Sequence, residues 1–311
     1  MKHLIIMNPK AGEDNKIGYD IKGEILKNFS ALDYEVYETT GPRSVIPFLK
    51  EYFKNHRELT RVYACGGDGT VHEVVNGLVG AHNAELAILP IGTGNDFVKI
   101  YGALNENIDK FRDFKQLIDG EARPIDLSKI SGPSLEEPWY SINVINFGFD
   151  AIVGAKGNIN KQKGKKNPYG PAAIIPALIK GRFNNTIIKA DGEQLNKKKM
   201  LLGSLGQGQW VGGQYHAQPH SDNTDGLIDV MMLKCMSLAR LMIQYFGKYQ
   251  KGEHLDNEKL MKRIVYRRAK TVEIIAPKDI DVCVDGEMIR GNHFDVEVCP
   301  GAIKLVYPAG K

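Results

Sequence analysis

Arg61-Val62-Tyr63-Ala64-Cys65 runs without a break into Gly66-Gly67-Asp68-Gly69-Thr70, and a helical apolar pattern resumes at Val71. A short apolar run bounded by glycines reads as a buried strand. Glycines between a strand and a helix let the backbone approach an anion closely, and the helix N-terminus adds partial positive charge. The stretch therefore predicts a strand–turn–helix unit that handles phosphate. Thr70 adds a hydroxyl donor. Asp68 is the odd member, because a carboxylate beside phosphates repels them unless a cation such as Mg²⁺ stands between. No G-x-x-x-x-G-K-[ST] run occurs, so this is not a Walker A loop.

Outward from this stretch the same pattern repeats. Leu4-Ile5-Ile6-Met7 reads as a first strand that ends at Asn8-Pro9-Lys10-Ala11-Gly12. Residues 34–37 read as a second strand followed by Thr39-Thr40-Gly41, and 86–89 as a fourth that leads to Gly92-Thr93-Gly94-Asn95-Asp96-Phe97. Helical spacing links Ile17, Ile21, Ile25, Leu26 and Phe29, then residues 45–53 and 71–79. Strands alternating with helices predict βαβ units and a parallel sheet, with all four loops on one ligand-binding rim. One glycine cluster is often only a turn. Several at successive strand ends argue for a ligand.

Beyond about residue 122 the pattern changes to strands and hairpins, at 139–146, 186–190, 200–205, 227–233, 271–275, 280–284 and 294–298, with one helical interlude at 237–246. Asp191-Gly192 and Asp285-Gly286 sit between alternating apolar residues, a strong hairpin signal. The expected architecture is an α/β N-terminal domain with a parallel sheet, over 1–125 with about 292–311 returning to it. A mainly antiparallel β domain follows over 126–291.

The bulk properties fit two globular domains. The chain has 311 residues, 42% hydrophobic and 25% charged, and a formal net charge of +4. That charge suits an enzyme meeting phosphates or an anionic surface and shows no nucleic-acid footprint. Cys65, Cys235, Cys283 and Cys299 have no C-x-x-C spacing, which argues against a zinc site or a disulfide framework. The N-terminal apolar run is too short for a signal peptide, and no stretch approaches the roughly 20 apolar residues of a membrane span. The expectation is a soluble cytoplasmic protein with at most peripheral membrane contact.

The Gly66-Gly67-Asp68-Gly69-Thr70 run followed by Pro90-Ile91-Gly92-Thr93-Gly94-Asn95-Asp96-Phe97 resembles the diacylglycerol kinase catalytic family, which includes bacterial lipid kinases and sphingosine and ceramide kinases. The first run is shared with NAD kinases, and the second marks the lipid kinases. Further matches are Asn8-Pro9 with Gly12, Glu73-Val74 with Asn76-Gly77, Asp126-Leu127, Gly148-Phe149-Asp150-Ala151, and Asp225-Gly226-Leu227-Ile228-Asp229-Val230.

The resemblance implies an ATP-dependent lipid kinase with a diacylglycerol-kinase-like and NAD-kinase-like fold. It implies that Asn8, Pro9, Lys10, Ala11, Gly12, Thr39, Gly66, Gly67, Asp68, Gly69, Thr70, Gly92, Thr93, Gly94 and Asn95 surround ATP. It implies Mg²⁺ at the Asp225 side chain with backbone oxygens of Asp222 and Leu227, and Asp126 lining a cleft at the domain junction. Glu287, in Asp285-Gly286-Glu287, would be the general base, with Asp285 and Asp68 completing the catalytic set. The partners implied are ATP and a lipid, with an anionic membrane surface and a homodimer both admitted.

Spacing alone does not separate Asp285-Gly286-Glu287 from Asp191-Gly192-Glu193; position near the C-terminus, as in the family, selects the former. The bland reading of 221–226 is an Asx-turn loop without metal. The chain departs from the family at His72, where Asn is usual, and in the Gln- and Gly-rich segment 207–218. Two basic stretches, 161–166 and 262–268, could meet anionic headgroups. Rival readings are an NAD or small-sugar kinase, and a nucleotide-binding regulator without catalysis.

Overall fold

The structure is a computed structural model that describes residues 1–11, 20–102, 108–164, 173–174, 177, 185–197, 199–237 and 240–310. It divides into two compact units, 1–127 with 300–311, and 128–299.

In the first unit, β1 (Lys2–Met7), β2 (Tyr34–Glu38), β3 (Thr60–Gly66) and β4 (Ala84–Pro90) form a parallel sheet in the order β4-β3-β1-β2. β3 and β4 are buried along their whole length, which is why they read as unbroken apolar runs and not as alternating ones. The edge strand β2 is largely exposed. The strand Glu287–Tyr307 ends in this unit, where Leu305 pairs in parallel with Leu86 of β4.

The helices are α1 (Ile21–Phe29), α2 (Val45–Asn55) and α3 (Asp68–Leu78). Helix α3 starts three residues before the apolar pattern suggested, with Gly67 as its N-cap. Periodicity cannot show this, because Asp68-Gly69-Thr70 form a first turn that needs no apolar face; its Thr70 N–H donates to the Gly67 carbonyl at 2.9 Å. Glu73, on α3, accepts the Arg43 and Val45 N–H groups at 2.8 and 3.1 Å and so caps α2.

The second unit is mainly antiparallel. Its strands run in the order Ile264–Ala269, Ile228–Lys234, Met200–Gly206, Val144–Gly148, Thr271–Val284, then Glu287–Tyr307. The predicted strand over 139–146 is two strands, Trp139–Ser141 and Val144–Gly148. Strands expected at 271–275 and 280–284 are one, with an irregularity between Ile275 and Ile280 around Pro277, which has no N–H to donate. The strands Glu121–Ser131 and Ile264–Ala269 and the helix Phe149–Gln162 carry weak periodicity and were not expected. Among the described residues no helix is long and apolar enough to cross a membrane.

Candidate active site

The loops after β1, β3 and β4 are tied together. Asn8 N–H donates to the Cys65 carbonyl at 3.0 Å, and the Asn8 side-chain amide to the Thr70 hydroxyl at 3.3 Å. Ile91 N–H donates to the Gly66 carbonyl at 3.1 Å. Gly67 and Gly92 meet backbone to backbone, since a Cβ on Gly92 would lie 2.3 Å from the Gly67 Cα. Only glycine permits that approach. Asn95 takes φ 50°, a conformation asparagine tolerates better than most residues, and its side chain both accepts from Gly92 N–H at 2.9 Å and donates to the Gly92 carbonyl at 2.7 Å. The 92–95 loop is thus held shut on itself.

The start of α3 is a helix N-terminus, whose partial positive charge favours an anion. Gly69 and Thr93 are exposed beside it, while Thr70 is buried. Lys10 and Pro9 are exposed, Asn8, Ala11 and Thr39 are half-buried, and Thr39 N–H pairs with the Met7 carbonyl at 2.9 Å. Gly12 lies outside the described residues, as do much of the 161–166 basic stretch and Ile17.

Asp68 is set into this frame. One carboxylate oxygen accepts the Asp96 N–H at 2.6 Å, and a Cβ on Gly94 would come within 2.5 Å of the other. Burial and the nearby Asp96 carboxylate push the Asp68 carboxyl up to about 6. Asp96 forms an ion pair with Lys99 at 2.7 Å, both buried. Asp96 and Lys99 were not among the sequence candidates. The signal available was their place directly after the Gly92–Asn95 glycine loop, where a second carboxylate beside phosphates calls for a counter-charge.

Asp126 is buried, and its carboxylate accepts the Gly301 N–H at 2.8 Å, which ties the returning strand into the first unit. In the second unit both Asp-Gly pairs are hairpin turns with positive φ at both residues, 48° and 81° at Asp191-Gly192 and 50° and 99° at Asp285-Gly286. The Asp285 carboxylate accepts from the Ser141 hydroxyl at 2.6 Å and from the N–H groups of Ile142, Asn143 and Val144 at 3.0 to 3.1 Å. With its oxygens so engaged it anchors the turn. Glu193 forms an ion pair with Arg267, whereas Glu287 is exposed and its carboxylate has no ion-pair partner among the described residues. The two look-alike turns therefore present chemically different glutamates.

The residues expected to hold magnesium at 222–227 sit in a turn-rich loop. The Asp225 carboxylate pairs with Arg268 and accepts Leu227 N–H at 3.0 Å. The Leu227 carbonyl accepts from Gln207 at 3.1 Å, and Asp222 accepts the Thr224 N–H and hydroxyl at 2.9 and 2.6 Å. The side-chain oxygens of Asp222 and Asp225 thus accept from neighbouring donors, as in an Asx turn.

Known proteins match both units. Residues 2–130 match the diacylglycerol kinase catalytic domain, and 143–307 the YegS C-terminal NAD kinase beta sandwich-like domain. A diacylglycerol kinase of Bacillus subtilis (strain 168) is 30% identical over 289 residues, covering 91% of this chain and 88% of that protein. A probable lipid kinase YegS-like protein of Pseudomonas aeruginosa PAO1 is 32% identical over 257 residues, with 79% and 76% covered. The crystal structure of a putative diacylglycerol kinase from Bacillus anthracis str. Sterne superposes with a TM-score of 0.71 at 26% identity, covering 98% of this chain and 96% of that one. Two domain matches in sequence order, and a relative aligned along nearly the whole length, leave one assignment: the chain belongs to the diacylglycerol kinase catalytic family.

Proposed function

We propose that this protein is an ATP-dependent lipid kinase that transfers the γ-phosphate to the hydroxyl of a diacylglycerol-like lipid. The observation that carries the reading is the glycine rim of the first unit, where the Asn8, Gly67 and Gly92 loops interlock around the N-terminus of α3. The relatives named as diacylglycerol and lipid kinases support the acceptor class.

Phosphoryl transfer depends mainly on positioning and on charge stabilisation. Amides at the start of α3 and the Thr70 hydroxyl supply donors for phosphate oxygens. Lys99 neutralises Asp96 and so limits the negative charge around Asp68. Magnesium carried in as part of the nucleotide substrate would supply the remaining screening between Asp68 and the phosphates. Glu287 takes the proton from the acceptor hydroxyl, a role that suits an exposed carboxylate on the turn anchored by Asp285.

The test is a transfer assay with labelled ATP against diacylglycerol in mixed micelles, other long-chain alcohols and NAD. Labelled lipid is the expected product. Labelled NAD with no lipid product would overturn the reading. Glu287→Gln should lower kcat by about 10²–10⁴-fold and leave ATP affinity unchanged. A nucleotide-binding regulator would show no turnover in either form.

A further inference from the structure

The strands Thr271–Val284 and Glu287–Tyr307 carry a second group of converging side chains, away from the residues discussed so far. Glu273 lies directly opposite Asp295 in this antiparallel pair, and Ile275 opposite His293. Residues two apart share a face, so Glu273, His293 and Asp295 all point to the same side. Two carboxylates directly across a strand pair destabilise it unless a positive charge intervenes.

His293 Nε2 is 3.2 Å from Glu273 Oε1 and 3.6 Å from Asp295 Oδ1. All three atoms lie within 4.8 Å of one another. Nε2 is buried and lies within ion-pair distance of both carboxylates, without good hydrogen-bonding geometry to either among the described residues. Around a tetrahedral zinc ion at about 2.0–2.1 Å from N and O ligands, neighbouring ligand atoms sit about 3.3 Å apart. The two observed spacings bracket that value.

We propose that Glu273, His293 and Asp295 form a binding site for a divalent transition-metal ion of the zinc class, with water as the fourth ligand. One imidazole and two carboxylates suit zinc and its neighbours, while magnesium and calcium prefer oxygen alone. Lys189 Nζ holds the other Glu273 oxygen at 2.7 Å, which orients the carboxylate and leaves Oε1 for the ion. A pocket of about 320 Å³ lined in part by Lys189, Thr271, Glu273 and Asp295 gives the ion a path in. With one lysine against two carboxylates the site carries a net −1 before the ion arrives, and a dication resolves the Glu273–Asp295 repulsion.

The test titrates the full-length protein with zinc by calorimetry, and with cobalt(II), whose tetrahedral complexes absorb strongly in the visible. The wild type should bind one zinc ion saturably and show the tetrahedral cobalt spectrum. His293→Ala and the near-isosteric Asp295→Asn should each weaken zinc by more than about tenfold and lose that spectrum. His220→Ala removes a histidine that is also paired with an aspartate, Asp256, and should change nothing. Lys189→Met, which removes the group that orients Glu273, should weaken zinc binding. Absence of saturable zinc binding to the wild type would overturn the proposal, and so would equal affinity in folded His293→Ala and Asp295→Asn.

Discussion

Glu193 and Glu287 each follow an Asp-Gly turn of the same hand, yet Glu193 pairs with Arg267 while Glu287 has no such pair among the described residues. The same contrast runs through the aspartates that open those turns. Asp191 accepts from Lys270 N–H and from the Thr271 N–H and hydroxyl, while Asp285 accepts from four donors at 141–144. A third carboxylate, Asp150, shows burial outweighing a hydrogen bond. It accepts the Tyr249 hydroxyl at 3.1 Å, but burial still raises it to about 6. The folded state therefore binds the Asp150 proton more tightly than the unfolded one, and stability falls as pH rises from about 4 to 6. Asp150→Asn keeps an acceptor for Tyr249 and removes the charge. The variant should match the wild type below pH 4 and exceed it by about 2–3 kcal/mol above pH 6.5, as read by urea denaturation across pH. A difference that does not change with pH would contradict this account.

At the scale of elements, the phosphate rim depends on loops that touch through glycine. A methyl group at Gly92 would enter the Gly67 backbone, and backbone cannot swing aside as a side chain can. Gly92→Ala should therefore lower stability by about 1–3 kcal/mol and weaken ATP binding. Gly41, in the loop after β2, has nothing within 4 Å of its added Cβ, and Gly41→Ala should stay within about 0.5 kcal/mol of the wild type. Equal melting curves for the two variants would show that the loop contact is not tight. Of this rim, the strands and glycine clusters were legible in the sequence because strand burial and turn chemistry are local. The first turn of α3 and the Asp68–Asp96 hydrogen bond were not. The former has no apolar face to reveal it, and the latter joins residues that lie in different loops.

On the scale of the whole molecule, the chain leaves the first unit along Glu121–Ser131 and comes back along Glu287–Tyr307, so the first unit is completed only by its last residues. Ile303, Leu305 and Val306 are buried there, and Tyr307 packs edge-on against Tyr101 at 5.0 Å. Leu305→Ala should cost about 2–5 kcal/mol in unfolding free energy. Hydrogen exchange should quicken in β4, which Leu305 adjoins, and not in the strand Met200–Gly206. Unchanged exchange in β4 would rule out this role for the returning strand.

The sequence by itself determined the α/β character of the first unit, the antiparallel character of the second, the glycine loops and both Asp-Gly hairpins. Each is encoded within a few residues by apolar period, glycine or turn propensity, and the 66–70 and 90–97 runs together carried the family. Only the tertiary structure decided which glutamate pairs with an arginine, that Asp225 pairs with Arg268, and that Glu273, His293 and Asp295 converge. Those outcomes depend on strand register, which sets distant side chains opposite one another and leaves no trace in the local pattern.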